Sequence, residues 1–214
     1  MKKIFVTLFL AIVLVSPVLA ENDKILELIP KIGYTFSPEI TPKEDSSSSA
    51  GSLLSLGAEI LFDTKINLFL GVGGMWGQDT HVNHSNIDMG FTNLYSEAKY
   101  KFLINVYKKE SIFVYPLLQL GVGYPSWNVT PSYFNREDTI VPGFYWGTGI
   151  GVEYRNIVLE FIYGCNYSKY RYKELFSGKD EIFYTEDDYV VQEENPFSYT
   201  AFRINIGYKF DFAF

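Results

Sequence analysis

From Arg203 onward the chain alternates without a break. Ile204, Ile206, Tyr208, Phe210, Phe212 and Phe214 take every second place, and Arg203, Asn205, Gly207, Lys209, Asp211 and Ala213 take the others. Successive side chains of an extended strand point to opposite faces, so this segment is apolar on one side and polar or small on the other. Such a strand suits a barrel wall between lipid and a polar lumen.

The opposite end reads as a targeting segment. Met1-Lys2-Lys3 is basic, 4–15 is apolar apart from Thr7, Ser16-Pro17 breaks the run, and Val18-Leu19-Ala20 precedes Glu21. This is the pattern of a signal peptide, residues 1–20, cleaved after Ala20. The apolar run is short for a spanning helix, which needs roughly 20 residues, and Glu21 in place of Cys gives no lipoprotein anchor. The expected mature domain is 21–214, one domain large enough for a closed sheet.

Composition narrows the function classes. Without the two leader lysines the chain carries 16 basic and 25 acidic residues, a net −9, which argues against nucleic acid as a partner. Aromatics make up 18% of the residues, and no later apolar run reaches helix-spanning length, as expected where each strand is only half apolar. Cys165 is the single cysteine, so no internal disulfide forms; it reads as a lipid-facing packing residue.

Period-two segments occur at 24–37, 52–62, 66–76, 91–102, 112–124, 144–154, 157–168 and 199–214. Their connections alternate in length. Those at 63–65, 103–111 and 155–156 are short or moderate; those at 38–51, 77–90, 125–143 and 169–198 are long, polar and rich in turn formers. The expected fold is all-β: an eight-stranded antiparallel up-and-down transmembrane β-barrel, long loops outside the cell and both termini in the periplasm.

The face opposite the apolar one carries many of the 17 glycines, with Phe69, Tyr95, Phe113, Tyr115 and Tyr145 beside them. At eight strands a lumen is only wide enough for side chains to fill, so a plugged interior is expected. Four acids (Glu59, Glu97, Glu153, Glu160) and three bases (Lys99, Arg203, Lys209) share that face. Charges away from bulk water need partners. They form either a polar core that fixes register, or an ion or proton path gated by exchangeable pairs. The pairing itself is open at this stage.

These features resemble the small eight-stranded outer-membrane barrels of Gram-negative bacteria, the OmpA-transmembrane, OmpX, OmpW and opacity-protein type. The resemblance covers the whole mature chain and includes Gly57-Ala58-Glu59 and Gly151-Val152-Glu153-Tyr154. Asn205, Gly207, Phe210 and Phe212 resemble the C-terminal assembly signal of such barrels, with two further alternating residues ending on Phe214. The resemblance implies outer-membrane lipid and the barrel-assembly machinery as partners, and a monomer. No peptidoglycan-binding domain is expected after the last strand. It does not assign a function, because barrels of this shape serve many.

No enzyme and no cofactor are expected. His81 and His84 are the only histidines; they lie in the second long connection near Asp79, Ser85 and Asp88, a poor scaffold for catalysis and a weak metal set. The fourth connection, 169–198, is the richest in contact chemistry. It holds Asp180-Glu181, Glu186-Asp187-Asp188 and Glu193-Glu194 among Tyr170, Tyr172, Phe183, Tyr184 and Tyr189, with 181–184 and 189–192 reading as strand continuations. The third connection adds Trp127, Tyr133 and Phe134. The main reading is surface recognition, adhesion or envelope integrity through these loops. A narrow transporter for small molecules is the alternative. A soluble lipocalin-like ligand carrier, with the faces inverted, is a third.

Overall fold

The computed structural model describes residues 25–42, 48–82, 87–106, 110–129, 136–176 and 189–213. The leader 1–20, Phe214, His84, Ser85, Tyr133, Phe134 and 181–184 lie outside them. Eight long strands make the wall: β1 (Ile25–Pro42), β2 (Leu53–Asp63), β3 (Leu68–His81), β4 (Ile87–Tyr100), β5 (Glu110–Val129), β6 (Arg136–Tyr154), β7 (Ile157–Phe176) and β8 (Tyr189–Tyr208). Each pairs antiparallel with its sequence neighbour, and β8 returns to β1 with Lys31 opposite Gly207 and Phe36 opposite Phe202, so the barrel closes. Closure removes the open edges that would otherwise invite aggregation.

The alternation sorts the two faces. On β2, Leu54, Leu56, Ala58, Ile60 and Phe62 point outward while Leu53, Ser55, Glu59 and Leu61 point in. Ile32, Leu56, Ile150, Phe202 and Ile206 are each more than half exposed, whereas Glu59, Lys99 and Glu160 are buried. A water-soluble carrier would show the reverse, so the inverted, lipocalin-like arrangement is ruled out.

Two aromatic bands bound the outward face. One holds Phe62, Tyr100, Phe102, Tyr154 and Tyr208; the other holds Phe36, Trp76, Phe144, Tyr167 and Phe202. Ring contacts knit them, with Tyr100 and Phe102 at 4.9 Å and Tyr163 and Phe202 at 4.9 Å. Ten residues separate Phe144 from Tyr154 on β6. At about 3.3 Å per residue and a tilt of about 40°, that spans about 25 Å, the height of a lipid-facing band.

The strands run further than their apolar faces indicate. β5, β6, β7 and β8 each span 19 or 20 residues, and much of what reads as long connections at 125–143 and 169–198 is strand. Beyond the upper aromatic band the outward positions turn polar. Ile40, Val82, Met89 and Phe197 still point inward, and a buried cluster of these with Leu53, Phe91 and Tyr199 holds the extensions together.

One joint in the wall ends early. β5 and β6 pair from Ile112–Tyr154 up to Gly123–Gly143 and no further among the described residues, although both continue. Above that point β5 pairs only with β4, and β6 only with β7. Extending the ladder would set Tyr124 opposite Pro142 and then Pro125 opposite Val141. Opposed residues of an antiparallel pair alternate between hydrogen-bonded and non-bonded sites. Whichever of these two pairs is the bonded one, a proline without an N–H sits in it. The seam is therefore written into Pro125 and Pro142, and a bulge between Val141 and Phe144 on the β7 side accompanies it.

At the other end the turns are tight. Arg155-Asn156 joins β6 to β7 with Arg155 at φ 55°, and the β2–β3 turn holds Lys65 at 68° and Asn67 at 62°. Thr64 closes that turn through its amide and hydroxyl, which donate to the Leu68 carbonyl at 3.0 and 2.7 Å. β4 and β8 break at Lys101 and Lys209 and resume as Phe102–Val106 and Phe210–Ala213. Each break has the same cause: the Lys101 amide donates to Asn67 O at 2.8 Å, and the Lys209 amide to Asn156 O at 2.7 Å.

Candidate functional site

The lumen at mid-wall holds a four-cornered ion-pair cluster. Lys31 on β1 lies 2.5 Å from Glu59 of β2 and 2.5 Å from Glu160 of β7. Lys99 on β4 completes it, pairing with Glu59 and, at 2.7 Å, with Glu160. Cations and anions alternate around the ring, and all four side chains are essentially inaccessible to solvent. Neutral donors supply the remaining hydrogen bonds of Glu160: Tyr115 OH at 3.1 Å and Asn205 Nδ2 at 3.3 Å. Isolated buried charges cost several kcal/mol each, and only full mutual pairing of this kind offsets that. Gly151 makes room for the Tyr115 ring, since a Cβ there would stand 2.2 Å from it.

Towards the long-loop end a hydrogen-bonded relay follows, in which two neutral groups, Gln119 and Tyr145, stand between Glu97 and Arg203. Glu97 lies 3.6 Å from Lys99 and accepts from Gln119 Nε2 at 3.2 Å. Gln119 Oε1 in turn accepts from Tyr145 OH at 2.6 Å and from Arg203 Nη2 at 3.4 Å. Above Arg203 the lumen becomes apolar at the Leu53, Met89, Phe91 and Phe197 cluster.

Towards the short-turn end lies a second cluster. Lys101 pairs with Glu27 at 2.6 Å and with Glu153 at 2.8 Å, and its ammonium sits 4.0 Å from the Phe69 ring centre. Lys209 pairs with Glu153 at 2.5 Å, with Glu27 at 3.5 Å and with Asp211 at 3.2 Å. The strand breaks at Lys101 and Lys209 thus aim two ammoniums at the same two carboxylates.

Of the residues singled out from sequence, Glu59, Lys99 and Glu160 meet in the ring, and Glu97 stands beside Lys99. Glu153 and Lys209 meet in the second cluster, while Arg203 pairs with no carboxylate among the described residues. Sequence reading missed Glu27, Lys31 and Lys101. All three occupy inward positions of their strands, and that parity was the available signal. With them the lumenal charges among the described residues balance, five acids against five bases, Lys209 being the one that is only partly buried. Glu59, Glu97 and Glu160 bring carboxylate oxygens within 4.8 Å of one another, but Lys31 and Lys99 already fill the place a metal ion would take.

Elsewhere, Cys165 is buried on the outward-facing parity of β7, opposite Trp146. His81 ends β3 opposite Asp88, and Asp79 accepts from Ser126 Oγ at 2.8 Å. Asn205 and Gly207 lie on the inward face of β8, with Phe210 and Phe212 outward and paired with β1 through Leu28 and Leu26.

A closed wall of eight antiparallel strands, apolar outside between two aromatic bands and ion-paired inside, admits one reading. The architecture is that of a small outer-membrane β-barrel. No protein-family model matches the chain, and no curated protein matches it. Among solved structures it is similar to Neisserial surface protein A, NspA, at 12% identity, covering 84% of this chain and 96% of that one with a TM-score of 0.45. It is similar to Ail, the attachment invasion locus protein of Yersinia pestis, at 17% identity over 86% and 98% of the two chains, TM-score 0.42. The outer membrane protein OprG from Pseudomonas aeruginosa follows at 9% identity over 90% and 98%, TM-score 0.41.

Proposed function

We propose that this small outer-membrane barrel is exported with 1–20 as a cleaved leader and sits in the outer membrane as a monomer. Both termini face the periplasm, and its work is surface recognition or adhesion, without catalysis. Asn205, Gly207, Phe210, Phe212 and Phe214 serve as the signal read by the barrel-assembly machinery. The observation that carries this reading is the filled lumen. The Lys31–Glu59–Lys99–Glu160 ring, the Gln119 relay and the apolar cluster stand in series, so a solute would have to break buried ion pairs and then cross an apolar plug. Activity is left to the part above the lipid. There β7 rises nine residues past Tyr167, about 30 Å of extended strand along its own direction.

Two measurements test it together. Reconstituted in planar bilayers, the protein should show no steady conductance. Displayed on cells, it should bind host-surface or matrix components, and lose that binding when 177–188 is replaced by a short turn. Steady conductance with no loop-dependent binding overturns the reading.

A second reading rests on the seam. The early end of the β5–β6 ladder lies at the level of Phe144 and Tyr167, beside an inward Phe91 that pairs with Pro125. A small apolar molecule entering from outside would have a way into the lipid there without crossing the ion-pair ring. Faster entry of a small alkane or arene into protein-loaded vesicles, abolished by a disulfide across the seam, would favour transport over recognition.

A further inference from the structure

Arg203 is the one lumenal cation among the described residues that meets no carboxylate. Its Nη2 reaches only Gln119 Oε1 at 3.4 Å and Tyr145 OH at 3.5 Å, and its Nε has no partner. The residue is 5% exposed. An unpaired buried guanidinium is costly, so its surroundings should show what compensates it.

They show a cavity. A space of about 20 Å³ lies against Arg203, enough for one water-sized or chloride-sized guest. Thr35, Asn93, Asn166 and Tyr199 also line it, and no acid does. Each of these four presents a buried polar side-chain atom with no hydrogen-bond partner: Thr35 Oγ1, Asn93 Oδ1, Asn166 Oδ1 and Tyr199 OH. Such a concentration of unmet polar atoms at one place is rare in folded proteins and points to an occupant. Gly123 leaves space for the Asn166 amide, since a Cβ there would come within 1.8 Å of Asn166 Oδ1.

We propose that this cavity binds one small monovalent inorganic anion, a halide, as the counter-ion of Arg203. The guanidinium supplies the charge and an N–H, and the Thr35 and Tyr199 hydroxyls turn to donate. The amides of Asn93 and Asn166 offer N–H groups after a half turn of the side chain. Glu97 balances Arg203 in the overall charge count, but Gln119 stands between them, so that carboxylate does not pair with it. The bound anion joins β1, β4, β7 and β8 from inside and acts as a staple of the barrel.

Crystals of the detergent-folded full chain grown in sodium bromide test this directly, read at the bromine absorption edge. The expected result is an anomalous peak within hydrogen-bond reach of Arg203 Nε. The heat-unfolding midpoint in bromide should also lie about 3–5 °C above that in gluconate of equal ionic strength. Arg203→Gln should lose both the peak and the difference. Bromine signal at the outer surface only, or a midpoint blind to the identity of the anion, overturns the proposal and leaves water as the occupant. The peak is read on the unmutated protein, so misfolding of the variant cannot obscure the answer.

Discussion

Lys31 and Glu160 lie 129 positions apart in the chain and 2.5 Å apart in the lumen. The contact reaches past β8, which stands between β1 and β7 in the wall. Removing one partner leaves a buried charge without its match. Glu160→Gln should therefore destabilise the detergent-folded barrel by about 3–5 kcal/mol. Lys31→Met together with Glu160→Leu should recover a good part of that loss. A double-mutant cycle on urea unfolding, followed by the mobility shift between heated and unheated samples, reads the coupling. Additive single losses would show that the pair is not coupled.

Gly151 and Tyr115 make a second coupled pair. A valine at 151 must displace a ring held by its hydrogen bond to Glu160, and overpacking of this kind costs about 1–3 kcal/mol. Gly151→Val should lower the unfolding midpoint, and adding Tyr115→Leu should restore most of the space-related part. If the double variant is worse than the sum of the singles, steric conflict is not the cause.

The seam is open to a backbone test. With Pro125→Thr and Pro142→Val the bonded pair regains its N–H whichever of the two it is. Amide hydrogen exchange at 124–129 and 137–142 should slow by an order of magnitude or more, while the rest of the barrel is unchanged. Unaltered exchange would mean that something other than the prolines holds β5 and β6 apart.

Above the lipid, Glu194 pairs with Arg171, whose Nε donates at 2.8 Å, and with Lys169 at 3.4 Å. The hydrogen bond from Arg171, and then its charge, hold the Glu194 carboxyl below the ordinary glutamate value. A lowered folded-state value means that the pair contributes above the ordinary carboxylate range. The contribution fades as pH falls through the lowered value. Being exposed, the pair should matter locally and weaken with salt. Carboxyl NMR should show the Glu194 titration moving upward in Arg171→Gln, with the global unfolding midpoint nearly unchanged. A titration that does not move would dismiss Arg171 as the cause.

Much of the barrel was legible because its information is local. Which face Glu59 or Arg203 occupies follows from parity along one strand, and the eight alternating segments carry that parity plainly. The strand ends were not legible, because outward residues above the lipid turn polar while Ile40, Met89 and Phe197 keep the inward rhythm at lower density. Lys31 and Glu27 shared the lumenal parity of the first strand, yet their importance depends on partners contributed by β2, by β7 and by the breaks after β4 and β8. Which acid faces which base is set by the tilt and stagger of the closed sheet, a property of all eight strands at once. The seam required two prolines distant in sequence to be placed one step apart across a ladder.

The ion-pair ring also bears on how the protein enters a membrane. Its corners sit on β1, β2, β4 and β7, so a partial sheet lacking any one of them carries an unmatched charge towards hydrocarbon. A half-built sheet is then a poor guest in lipid, and no sequence of stable, strand-by-strand intermediates is available. Insertion and closure become one event, and the last strand to arrive seals the circuit of charge as well as the wall.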